Sequence, residues 1–323
     1  MQILIIQTAF IGDVVLATPV AEKMHKNFPN SRIDFLVKEG HAELFHNHPF
    51  IRTVFTFNKR KKVRSFIEVV RSIRSVNYDV VINLHRFLSS GLMTVLSGAD
   101  QTIGFTSNPL SLLFSERYPH HFNGQHEVER NLSLLENIVA EGIERPRLYI
   151  NLVEEAIQSK YSRGPYITIS PGSIWETKKT PLDKWLALIQ NTEMKVYLLG
   201  SANDRDLCEE LTANCREADV ANLAGQLSML QSAALMKHAT MNYTNDSAPL
   251  HFASAVNAPV TAVFCSTVPA FGFGPLSDVS FIAETNEKLP CRPCGIHGRM
   301  SCPKGHFNCG KSIDLLSLNN QKA

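Results

Sequence analysis

The strongest constraint on this chain is the order in which two kinds of apolar pattern alternate along it. Ile3 to Ile6 is a short continuous apolar run, followed by a loop and a helical pattern from Val14 to Phe28 that Pro29-Asn30 closes. Arg32 to Val37 reads as the next strand, so the chain opens β-α-β. The alternation continues through strand Thr53 to Phe57, a helix near Arg64 to Val76, strand Val80 to Leu84, a helix after Phe87 and a helix from Val128 to Glu141. A second series follows the polar stretch Glu154 to Gly164: strand Tyr166 to Ser170, helix Leu182 to Gln190, strand Lys195 to Leu199 and helix Asp204 to Cys215. Helix Ser228 to Ala239, strand Thr240 to Tyr243, helix Ala248 to Val256 and strand Val260 to Phe264 complete it. Strands alternating with helices predict parallel sheets covered on both faces. The expected fold is therefore α/β, with two Rossmann-like doubly wound halves, residues 1–157 and 158–323, and a hinge between about Leu152 and Pro165. Two such domains are expected to hold ligand in the cleft where they face each other, beside the C-terminal strand ends.

A length of 323 residues agrees with two domains, since single cores stop growing near this size. The 32 basic and 30 acidic side chains give a net charge of +2, too even a balance to suggest a nucleic-acid partner. The opening MQILIIQTAFIGDVV has no positive leader, Gly12-Asp13 interrupts its apolar run, and no later stretch reaches about 18 unbroken apolar residues. The expected location is cytoplasmic.

Several segments then resemble glycosyltransferase family 9, the ADP-heptose:lipopolysaccharide heptosyltransferases. They are Gln7 to Gly40, Gly98 to Phe105 (GADQTIGF), His126 to Leu132 (HEVERNL), Pro171 to Trp185, Asp246 to Ala255 (DSAPLHFASA) and Gly272 to Pro275. Their order and spacing carry the resemblance across nearly the whole chain. It implies a GT-B fold, inversion at the anomeric carbon, a nucleotide-diphosphate sugar donor bound by the C-terminal domain and a glycolipid acceptor bound by the N-terminal one. No separate cofactor is implied, because the nucleotide sugar is itself a substrate.

Inverting transfer needs a base for the acceptor hydroxyl, and a carboxylate can serve because that hydroxyl acidifies as its oxygen bonds to carbon. Asp13 follows the first strand, with Gly12 beside it allowing close approach of backbone to acceptor. On local sequence Asp13 could equally N-cap the first helix; the resemblance favours the base. The leaving diphosphate gains negative charge that cations and helix N-termini can meet. Lys178, as the catalytic cation, and Ser173 match phosphate-binding positions of the family, with Lys179 an alternative to Lys178. In DSAPLHFASA the backbone N–H groups of Ser247 and Ala248 are expected to face a phosphate, leaving Asp246 for the nucleoside. Leu227 matches a base-pocket position, and Asn203 or Asp204 one that faces the ribose.

Asp204-Arg205-Asp206 is formally a D-x-D, better read as a helix start than as a metal site. The basic run Asn58 to Arg64 supplies acceptor candidates Arg60 and Lys62, and its charge would draw the chain to the inner membrane surface. Arg86, at the end of a strand, is a further acceptor candidate, and Arg130 is expected to support the site through an ion pair. Cys291-x-x-Cys294 with Cys302 and Cys309 has the composition of a closed structural zinc site; reduced thiols and disulfides are the other readings. No catalytic metal is expected. Alternatives to heptosyl transfer are transfer from another nucleotide sugar, a GT-B nucleotide-sugar 2-epimerase, and a non-catalytic nucleotide-sugar or glycolipid-binding module. A nicotinamide dehydrogenase is disfavoured, because the first strand-helix turn lacks G-x-G-x-x-G.

Overall fold

The computed structural model describes residues 1–46, 48–140, 142–161 and 164–316. The chain divides into two compact units, Met1–Tyr149 and Ile150–Ala323. The first is built on six parallel strands: β1 (Gln2–Gln7), β2 (Arg32–Lys38), β3 (Ile51–Phe57), β4 (Val80–Asn83), β5 (Gln101–Phe105) and β6 (Glu116–Tyr118), in the order β3-β2-β1-β4-β5-β6. Helices α1 (Ile11–Val15), α2 (Thr18–Asn27), α3 (Lys62–Arg74), α4 (Leu88–Val95) and α5 (Glu127–Ser133) connect and cover them. Ile3 to Ile6 are fully buried, as an unbroken apolar run must be when its sheet is covered on both faces.

The second unit repeats the plan with β7 (Tyr166–Ser170), β8 (Lys195–Leu198), β9 (Val220–Asn222), β10 (Met241–Asn245), β11 (Val260–Phe264) and β12 (Ser280–Glu284), ordered β12-β11-β10-β7-β8-β9. Its helices are α6 (Leu152–Tyr161), α7 (Leu182–Gln190), α8 (Arg205–Asn214), α9 (Met229–Lys237), α10 (Ala248–Ala255) and the short α11 (Asn308–Lys311). The core beneath α7 and α8 gathers Trp185, Leu188, Ile169, Leu198 and Leu211. In both sheets the strand order reverses beside the first strand of the unit, which opens a crevice at the strands' C-terminal ends.

Three expectations differ from the structure. The division falls between Tyr149 and Ile150 rather than between 157 and 158, because the polar stretch read as a linker is helix α6. Asn151 Oδ1 accepts from the amides of Val153 and Glu154, while Glu154 Oε2 accepts from Asn151 N–H, which makes a capping box. Helix α6 packs on α9, and Glu155 pairs with Lys237 and His238. The helix expected to run to Glu141 stops at Ser133, whose hydroxyl donates to the Arg130 carbonyl. Strands β6, β9 and β12 lie at or beside sheet edges, half-exposed and without the apolar runs that mark central strands.

Replacing Asn151 by Ala should cost the second unit about 1 kcal/mol. Hydrogen exchange of the α6 amides should accelerate accordingly; unchanged protection would show that packing on α9 alone holds the helix.

Candidate active site

In the first unit the chemistry gathers where β1, β4 and the segment before α5 end. Phe10, not Asp13, occupies the N-cap position of α1; Asp13 is the third helical residue, and its Oδ2 accepts the Phe10 N–H at 3.1 Å. The capping and catalytic readings of Asp13 are thus compatible, since one carboxylate oxygen closes the helix start. Gly12 stands next to it within the first turn, half-buried. Burial of its carboxyl group pushes Asp13 up to about 6, the Glu127 carboxylate adds to the rise, and the Phe10 N–H and Arg86 oppose it. A carboxyl group of this kind is a proton acceptor tuned close to neutrality.

Around Asp13 lies a polar network of which sequence reading singled out only Arg86 and Arg130. Glu127 lies 3.1 Å from His120 Nε2 and 2.8 Å from Arg130 Nη2, so the expected Arg130 ion pair is present. Burial pushes the Glu127 carboxyl group up, but His120 and Arg130 outweigh burial and hold it below the usual carboxylate range. Two guanidinium groups stand over the Phe122 ring, Arg130 at 5.0 Å and Arg86 at 5.5 Å from its centroid. His85 joins Thr8 Oγ1 through Nδ1 at 2.8 Å, and burial, with Lys59 and Arg86 nearby, pulls its imidazole down to about 3. It is therefore neutral at physiological pH. The signal for this network was the spacing in HEVERNL, where Glu127 and Arg130 fall on one helix face.

Asn58 Oδ1 accepts from the amides of Arg60 and Lys61, which turns the basic run into α3 and leaves both side chains exposed. Lys62 is the first residue of α3, and its side chain lies outside the described ones.

The second unit assembles its cluster from the loops after β7, β10 and β11. Thr177 accepts the Arg299 N–H at 2.7 Å on Oγ1 and donates its own N–H to the Arg299 carbonyl at 3.0 Å; Ser266 adds a hydroxyl at 2.9 Å. The turn so fixed carries Lys178, whose Nζ lies 2.6 Å from Asp246 Oδ2. Thr267 donates to the same oxygen at 2.6 Å. Lys178 and Asp246, assigned to different parts of the donor by sequence, are thus joined to each other. Lys179 points elsewhere and pairs with Glu176 at 2.6 Å, so Lys178 is the member of the pair directed into the cluster.

Ser173 is half-buried in the loop after β7, its Oγ accepting from Trp175 N–H at 3.3 Å. Ser247 is the N-cap of α10 and Ala248 its first residue, both half-buried. Pro249, at the second position, has no N–H, so the donors at this tip are the amides of Ser247 and Ala248. Asn245 was not foreseen: its amide donates to the Pro171 carbonyl at 2.7 Å and accepts from Thr180 N–H and Oγ1, tying the first loop to β10. Leu227 is half-buried in the loop between β9 and α9. Asp204 Oδ2 accepts from Ser201 N–H and Oγ at 2.8 and 2.7 Å, which is a helix cap, as expected for the D-x-D. It lies so close to the loop after β7 that a Cβ on Gly172 would come within 2.1 Å of its carboxylate.

Cys291, Cys294, Cys302 and Cys309 are free thiols, and among the described residues no three His, Cys, Asp or Glu side chains are arranged to hold a metal ion. The tetrahedral zinc arrangement raised by their spacing is therefore not formed. The segment is fastened instead through Arg292, inside the C-x-x-C. Its guanidinium donates to the carbonyls of Phe264, Cys265 and Thr267 at 3.0, 2.8 and 2.8 Å and to Glu284 Oε2 at 2.7 Å. Arg292→Ala should lower the stability of the second unit by roughly 2–4 kcal/mol, because buried carbonyls lose a charged donor. Denaturant unfolding should register the loss, and Arg292→Lys should restore only part of it.

The family model "Glycosyltransferase family 9 (heptosyltransferase)" matches residues 66–296. The lipopolysaccharide heptosyltransferase 3 of Escherichia coli K12 is 25% identical over 302 residues, 87% of this chain and 88% of that protein. The lipopolysaccharide heptosyltransferase 1 of Pseudomonas aeruginosa is 26% identical over 313 residues, 91% and 86% of the two chains. The solved structure of the Escherichia coli ADP-heptose lps heptosyltransferase II shares the fold with a TM-score of 0.78 at 20% identity, covering 100% of each chain. A match over most of the chain, on the GT-B architecture of two parallel-sheet units, establishes that the chain belongs to glycosyltransferase family 9 and is a glycosyltransferase.

Proposed function

We propose that this chain transfers heptose from ADP-heptose to a sugar of the lipopolysaccharide inner core, with inversion and without a metal. The observation that carries the reading is the carboxyl group of Asp13, raised to about 6 beside a cationic side chain, at the strand-end face of the first unit. Relatives named as lipopolysaccharide heptosyltransferases support the choice of heptose and of core acceptor.

In the proposed reaction the acceptor hydroxyl oxygen bonds to the anomeric carbon as the bond from that carbon to the β-phosphate oxygen breaks. The hydroxyl proton passes to Asp13 and ADP departs with the bonding pair. A single displacement of this kind inverts the anomeric centre. Lys178 meets the charge growing on the diphosphate, oriented by Asp246 and Thr267, while the amides at the tip of α10 provide partial positive charge. Ser173 and the loop after β7 border the phosphates, and Leu227 borders the base. Gly12, Arg60, Lys62 and Arg86 serve an anionic, lipid-borne acceptor in the first unit. No helix among the described residues is long and apolar enough to cross a membrane. We place the enzyme on the cytoplasmic side, in peripheral contact with the inner membrane.

The test is ADP release from ADP-heptose in the presence of a chelator, with and without heptose-deficient core lipopolysaccharide. Release that requires the acceptor supports transfer; release without it favours epimerase chemistry, and loss with chelator rejects the metal-free mechanism. Asp13→Asn should lower kcat by about 10²–10⁴-fold with donor affinity retained, the range for a lost general base. An acid raised to about 6 is protonated below that pH, so kcat should fall as pH drops through about 6. Glu127→Gln removes a neighbouring negative charge, so the acid limb should move to lower pH; a limb that stays in place would detach Asp13 from it.

A further inference from the structure

The first unit carries an apolar surface that the proposed chemistry does not use. Phe87, Leu88, Leu112 and Leu113 are 66, 52, 78 and 63% exposed. Leu88 and Leu92 of α4 and Leu96, the residue that caps its C-terminus, follow one another at four-residue spacing, and all three are exposed. The 3-10 turn Ser111–Leu113 is bound to the start of this helix, since Asn108 Nδ2 donates to the carbonyls of His85 and Phe87, each at 3.1 Å. Gly91 of α4 lies so near Asn108 that a Cβ there would meet its Oδ1 at 2.3 Å. Phe87, the leucine stripe and the turn therefore form one patch, and single exposed leucines are ordinary whereas a contiguous set marks a contact surface.

What borders the patch identifies its occupant. Helix α3 packs beside α4, and Arg74 Nη1 donates to the Leu96 carbonyl at 3.2 Å. At the other end Lys59 stands near enough to His85 to depress its imidazole. From Lys59 to Arg74 the sequence holds seven basic side chains and one acidic, Glu68, which Arg64 already neutralises at 2.8 Å. An apolar wedge edged by cations suits an anionic bilayer, where the leucines enter the acyl boundary and the cations meet headgroup phosphates.

We infer that Phe87, the α4 leucine stripe and Leu112-Leu113 insert into an anionic lipid surface, with the α3 cations on its headgroups. The inference deepens the proposed function, since it assigns the face by which the enzyme reaches a lipid-borne acceptor, but it does not depend on which sugar is transferred.

The test is flotation with vesicles of phosphatidylethanolamine and phosphatidylglycerol. Wild-type protein should float with them, and Leu112→Gln/Leu113→Gln should lose retention by about tenfold or more, because two anchors of several methylene groups are removed. Turnover of a water-soluble core oligosaccharide should stay unchanged in that variant. Leu112→Trp should raise retention while leaving turnover of the soluble oligosaccharide unchanged, a combination that a misfolded protein would not show. Wild type that fails to float, or a double variant that floats equally well, overturns the assignment. So does a dimer in sedimentation that the double variant dissociates, since the patch would then cover a second copy. Retention without any glycosyl transfer would sink the proposed function and leave the lipid face standing.

Discussion

All strands in each sheet run the same way, and that constraint shapes the rest of the molecule. Parallel pairing makes each connection cross back over the sheet, most often through a covering helix, so the loops that follow the strands collect at one end. Asp13 follows β1 and Arg86 follows β4; Ser173 and Lys178 follow β7, and Asp246 and Ser247 follow β10. Positions far apart in sequence become neighbours because the sheet leaves them nowhere else to emerge. The buried aliphatic runs that drive each sheet to form are also what fixes the polar residues at their ends.

Much of this was legible in the sequence, for a physical reason. Central strands β1 and β4 carry unbroken apolar runs, and β7 and β11 are buried throughout with only threonine or serine among their apolar residues, because both faces are covered. Asp13 and Lys178 stand just beyond such strands, where a polar residue draws attention. Less visible were side chains whose role is to tie distant loops: Asn245 reaches Pro171 across 74 positions, and Thr177 reaches Arg299 across 122. No local period encodes such a bond. Arg292 was hidden by its own setting, because cysteines on either side drew the reading toward metal, while the guanidinium between them does the fastening. The start of α6 is a different case, since Asn151 and Glu154 form a local cap that composition alone disguised as linker.

The electrostatics of the first unit are graded. His120 and Arg130 both meet the Glu127 carboxylate in the interior, and the Phe122 ring lies within cation–π reach of Arg130 and of Arg86. Charge that would be costly to bury singly is thus paired, with His120 Nδ1 left without a partner among the described residues, and the field of the Glu127 carboxylate reaches Asp13. His85, held neutral, adds a polar wall without adding a cation.

The contact of Lys178 with Asp246 carries a consequence for selectivity. An ammonium ion already matched by a carboxylate is a poor trap for stray anions such as inorganic phosphate, which would have to displace a partner held at 2.6 Å and seconded by Thr267. Any anion that approaches this ammonium group therefore competes with a carboxylate already in place.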